Sequence, residues 1–121
     1  MSELKVVKAL LVRRERSKET RESLISMSVE FYEERNNFHF LFIFPDMKGT
    51  KNVSGKWCYL VNENPEEVEI KGSTFKIEGS REVIDLFAPS FEKRGLKVKL
   101  ENPDNLIEIK RWGKKYLLSV S

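Results

Sequence analysis

Glutamine is missing altogether from the 121 residues, and cysteine and histidine occur once each, as Cys58 and His39. A lone cysteine excludes an internal disulfide, and one Cys with one His falls short of the ligand set of a structural zinc site. Histidine is the usual proton carrier of hydrolytic triads. His39, however, lies between Phe38 and Phe40 in the most apolar stretch of the chain, where a packed or hydrogen-bonded role is expected. Cys58, beside Trp57, likewise reads as a small buried hydrophobe. No catalytic residue, no metal and no cofactor are therefore expected. Glycine (6) and proline (4) are scarce and neither occurs before Pro45, so the first third should consist of long elements joined by polar stretches. No apolar run approaches the roughly 20 residues that span a bilayer. No small-residue cleavage site follows the short apolar stretch 6–12, so no membrane partner and a cytoplasmic setting are expected.

What is plentiful is charge. Lys and Arg number 22 against 19 Asp and Glu, for a net charge of +3 and a charged fraction of 34%. The dominance of Lys, Arg and Glu without Gln is the bias of proteins that work hot, which points to a thermophilic, archaeal or archaeal-virus source. With 40% hydrophobic residues, the chain has enough for one core, and a single domain over residues 1–121 is expected. The charge is uneven: residues 1–29 carry +3, residues 30–78 carry −3, residues 79–92 carry −2 and residues 93–121 carry +5. If the two basic ends meet, they make a patch suited to phosphate backbones; otherwise they are ordinary mixed surface charge.

The stretch 6–12 fits a helix or a strand, with Val6-Val7 tilting it to strand, and residues 13–22 form a charged helix or loop. From Ile25 the period is two, with Met27, Val29 and Phe31 alternating with polar residues, which predicts a strand over 25–32. Arg35-Asn36-Asn37 is a tight turn, Asn tolerating positive φ. Residues 38–44 are apolar on both faces and predict a central strand. A loop over 45–56 leads to a third strand at 57–61, then to short β pieces at 68–70 and 75–77. Ser80 opens a helix with Val83, Ile84, Phe87 and Phe91 on one face, which Pro89 should break or kink before Gly95 ends it. Strands follow at 96–100 and 106–110, and a hairpin through 111–115 leads into the last at 116–120. The fold class expected is α+β: one compact domain, predominantly antiparallel β-sheet with one or two helices.

Three segments bear on chemistry. The run 49–56, with Gly49 and Gly55, has the look of a phosphate-binding loop. It departs from that motif in having five residues between the glycines, Trp57 in place of the metal-binding Ser or Thr, and a strand after it. What survives is a basic loop with Lys48, Lys51 and Lys56, or simply a solvated connection. Pro45-Asp46 followed by Glu69-Ile70-Lys71 resembles the PD-(D/E)xK nucleases in those five residues. The resemblance implies a divalent metal held by Asp46 and Glu69, with Lys71 positioning water. A second version at Glu108-Ile109-Lys110 has Pro103-Asp104 too close to be its partner.

The third segment is 110–116, where Lys110, Arg111, Lys114 and Lys115 bracket Trp112 and Tyr116. Bases stack on aromatic faces while neighbouring cations hold phosphates, a mixture suited to single-stranded DNA or RNA. Lys97 and Lys99 share a strand face and would extend the track; the competing reading packs both aromatics on the core and leaves the lysines to solvate an edge. The function expected is a small non-catalytic protein that binds single-stranded nucleic acid through these eight residues. The alternatives are a protein-interaction or regulatory module, with self-association into a homo-oligomer as one form, and the metal-dependent nuclease.

Overall fold

The computed structural model describes residues 7–45, 53–62, 65 and 68–121. They fall into two compact units, Val7–Cys58 and Tyr59–Ser121. Among the described residues no helix is long and apolar enough to cross a membrane.

In the first unit, β1 (Val7–Arg13) leads through a 3-10 turn at Arg14–Arg16 into α1 (Ser17–Ser26), followed by β2 (Tyr32–Arg35) and β3 (His39–Phe44). β3 pairs antiparallel with both β1 and β2, the central place its two apolar faces require. Leu10, Val12, Phe40, Phe42 and Phe44 form the core with Leu24 of α1. The turn into β3 does not use positive φ, which among the described non-glycine residues occurs only at Ser28 and Asn102. Instead the Asn36 side-chain carbonyl accepts from the N–H groups of Phe38 and His39 at 2.9 and 2.8 Å.

The strand expected over 25–32 is absent. α1 runs to Ser26, and Ile25 and Met27 are 61% and 37% exposed. The helix is held by Ser17, Thr20 and Leu24, its buried positions, at helical spacing; the two hydroxyls donate to the carbonyls of Arg14 and Arg16. It ends in a cap in which Ser28 N–H donates to Ile25 C=O and Val29 N–H to Leu24 C=O, with Val29 packed on Leu24's cluster as a Schellman end requires. Ser28 takes the left-handed position at φ 57°. A left-handed non-glycine residue costs about 1–2 kcal/mol, against about 0.5–1 for glycine's extra freedom when unfolded. Ser28→Gly is therefore expected to raise the unfolding free energy by about 0.5–1 kcal/mol in a urea titration.

The second unit takes the last three residues of β4 (Lys56–Val61), then β5 (Thr74–Glu78), α2 (Arg81–Lys93), β6 (Lys97–Val98), β7 (Asn105–Trp112) and β8 (Lys115–Val120). The strand order here is β4-β8-β7-β5-β6. β8 pairs antiparallel with β4 and β7, but β5 is parallel to both β6 and β7. The expectation of a predominantly antiparallel sheet is thus corrected to a mixed one within an α+β fold. The reason is α2: a helix between β5 and β6 carries the chain back to its starting end, and strands joined by such a crossover lie parallel. Residues 69 and 70 belong to no strand, in place of the β piece expected there.

α2 starts where Ser80 Oγ accepts from Val83 N–H at 3.3 Å. It continues through Pro89, because Val83, Phe87 and Phe91 are buried on either side of it in one cluster with Phe75, Ile107, Ile109, Tyr116 and Leu118. It ends at Gly95, φ 92°, with Leu96 N–H donating to Phe91 C=O.

Candidate nucleic-acid interface

β7 and β8 are joined by two residues, Gly113 and Lys114, with Trp112 opposite Lys115. Gly113 has φ 60° and Lys114 has no positive φ, the pattern of a II′ turn, whose twist matches its strands. Arg111 Nε donates to Gly113 C=O at 3.2 Å and braces the tip.

Register then decides which way each side chain points. Arg111 lies opposite Tyr116, and both face α2. The Arg111 guanidinium sits 3.8 Å from Glu82 and 5.8 Å from the centre of the Tyr116 ring. Tyr116 is only 8% exposed, its ring edge-on to Phe87 at 5.0 Å. Lys110 and Trp112, one step off on an alternating strand, turn to the other face, where Lys110 is exposed and Trp112 half-buried. Lys114 and Lys115 are exposed at the tip. Among the described residues no ion pair occupies Lys110, Lys114 or Lys115, whereas Arg111 has Glu82. The hairpin therefore brings Lys110, Trp112, Lys114 and Lys115 together and sends Tyr116 into the core.

Lys97 and Lys99 are exposed but elsewhere. Lys97 pairs with Thr74, and Val98 and Asn105 both pair with Phe75, so this edge is level with the start of β7. Trp112 closes that eight-residue strand, roughly 23 Å further along at the usual rise. The two lysines stand at the opposite end of the sheet from the tip. Their neighbour Asp104 accepts from the N–H groups of Ser73 and Thr74 at 2.8 and 3.2 Å. Those bonds hold its carboxyl below the usual range, with the charge of Lys99 adding to them.

The same end carries a cavity of about 460 Å³ lined by Tyr59, Glu69, Ile70, Lys71, Asn105 and Val120, among others. Glu69 and Lys71 of the nuclease-like pattern are here, but Asp46 lies outside the described residues, as do Lys48 and Lys51. Among the described residues no three His, Cys, Asp or Glu side chains converge as a metal site. Cys58 is buried, and burial pushes its thiol up to about 12 against a smaller opposing pull from Lys56, so it holds almost no thiolate at neutral pH.

No protein-family model and no curated protein matches the chain. Solved structures do. PH1313 from Pyrococcus horikoshii OT3 is similar with a TM-score of 0.65 at 16% identity, over 96% of this chain and 54% of that one. TrmN from Thermus thermophilus follows with 0.62 at 12% identity, over 96% and 45%. A 4-thiouridine synthetase, solved as an RNA complex with bound ATP, gives 0.53 at 17% identity, over 98% and 41%. The likeness is one of fold. The chain spans about half the length of the structures it matches.

Proposed function

We propose that this chain binds single-stranded RNA and performs no chemistry of its own, seating a base on Trp112 and phosphates on Lys110, Lys114 and Lys115. The observation that carries the reading is the hairpin tip, where three cations with no ion-pair partner among the described residues share a braced turn with a half-exposed indole. Phosphate contacts supply affinity and salt dependence, and stacking supplies the preference for unpaired bases. Arg111 adds positive potential from the α2 side, and Tyr116 supports the strand from within the core rather than offering its own face. Lys97 and Lys99 form a separate basic point that a longer strand reaches. RNA is preferred to DNA in this reading because a protein of similar fold has been solved as an RNA complex.

The test is fluorescence anisotropy of labelled single-stranded RNA, single-stranded DNA and duplex DNA at low and moderate salt. Binding is expected to favour single strands and to weaken steeply with salt. Trp112→Ala is expected to cost about 1–3 kcal/mol of binding free energy with the circular dichroism unchanged, the scale of one stacked base. Equal weak binding to all three probes would reduce the tip to a basic surface. No binding at low salt would move the assignment to the protein-interaction module.

A further inference from the structure

The β7–β8 turn is gripped by a residue of its own strand. The Arg111 guanidinium donates from Nε to Gly113 C=O at 3.2 Å, stands 3.8 Å from Glu82 in the first turn of α2, and lies over the Tyr116 ring at 5.8 Å from its centre. The two side chains of the ion pair are 61% and 83% exposed, so that pair alone contributes little. Tyr116 gives the guanidinium a fixed seat, because its ring is buried and packed edge-on against Phe87. A planar guanidinium also loses less freedom for each bond it makes than a flexible ammonium does.

The carbonyl that Arg111 holds belongs to the central peptide of the turn. Gly113 has positive φ and Lys114 does not; the alternative I′ turn inverts that peptide and needs positive φ at both residues. Arg111 therefore holds the turn in one form. Trp112 and Lys115 close the ladder directly beside it, so the form of the turn sets the angle at which the indole leaves the sheet. Phosphate contacts and stacking differ in how far they need that angle. A lysine ammonium is a point charge on a flexible stem and follows a phosphate as the tip moves, whereas a base stacks only on a ring that is held in the right orientation.

We infer that Arg111 is the positioning residue behind the preference for unpaired bases: it orients Trp112 for stacking and makes no phosphate contact of its own, in place of the phosphate contact expected from the sequence. The inference rests on the RNA-binding reading given above and adds to it the residue that controls selectivity.

Arg111→Lys keeps the charge and removes the planar fork. The variant and the wild type are titrated with a fluorescein-labelled oligo(A) RNA of about 16 nucleotides and with duplex DNA, at several salt concentrations. Arg111→Lys is expected to weaken single-strand binding about fivefold or more, the lower end of what one stacked base supplies, and so to narrow the gap between the two probes. The slope of log K against log salt and the thermal midpoint are expected to stay. In the free protein the heteronuclear NOE of the Gly113 and Lys114 amides is expected to fall. A wild type that prefers single strands, matched by Arg111→Lys, overturns this inference alone, since charge then suffices. A slope flattened by about 0.7, one phosphate lost from a single strand, overturns it in favour of direct contact. Weaker binding with unchanged amide NOEs places the effect outside the turn and overturns it as well. A wild type with no preference for single strands overturns the RNA-binding reading and this inference with it.

Discussion

Phe87→Ala is expected to lower the unfolding free energy by about 3–5 kcal/mol, a large share of the 5–15 kcal/mol that a domain of this size typically commands. Phe87 is fully buried on α2 and meets the Tyr116 ring edge-on at 5.0 Å. Truncation removes a fully buried part of the helix's apolar face and leaves a void that Phe75, Phe91 and Tyr116 cannot all collapse into without leaving their rotamers. α2 also carries Pro89 within it, which deprives it of one backbone bond, so it depends on packing more than a helix without proline would. Phe87→Leu, which keeps most of the buried area, is expected to cost markedly less in the same urea titration. A loss below about 1 kcal/mol in Phe87→Ala would show that the second unit is not organised around this contact.

Where the sequence was legible, pattern and burial agreed. The run through Phe40 and Phe44 is central because both its faces are apolar, and α2 announces itself by Ser80 and the spacing of Val83, Phe87 and Phe91. The pattern leaves residues 13–22 open between helix and loop and hides the end of α1, because two of the helix's three buried positions are the hydroxyl residues Ser17 and Thr20, while exposed Ile25 and Met27 alternate as strand residues do. The hydrogen bonds that admit those hydroxyls to the interior are invisible to a hydropathy pattern.

The parallel pairing of β5 is a non-local consequence of where α2 delivers the chain. The separation of Trp112 from Tyr116, by contrast, was within reach. A two-residue turn at Gly113 and Lys114 sets Trp112 against Lys115 and so puts Tyr116 on the opposite face.

Asn105→Ala is expected to cost about 3–4 kcal/mol in the same titration, from polar groups rather than apolar area. Asn105 has no exposed surface, and its side chain ties the irregular segment before β5 to the start of β7. Its Oδ1 accepts from Lys71 N–H at 3.0 Å, and its Nδ2 donates to the carbonyls of Lys71 and Thr74. Alanine leaves one donor and two acceptors without that partner, and each group left unsatisfied costs about 1–3 kcal/mol, reduced where water from the adjacent cavity can enter.

Asn105→Asp separates the donor role from the acceptor role. It keeps the acceptor for Lys71 N–H but turns a carboxylate towards two carbonyls. The folded state therefore disfavours the charged form and raises its pKa above the ordinary value of about 4. A group raised on folding stabilises most below its unfolded pKa and loses that contribution as pH rises through the folded one. The Asp variant is accordingly expected to approach the wild type as pH falls towards 4 and to diverge from it towards neutrality, while the deficit of the Ala variant relative to wild type stays flat. Parallel curves for the two variants would mean that the amide's donors contribute nothing and that Asn105 acts through Lys71 N–H alone.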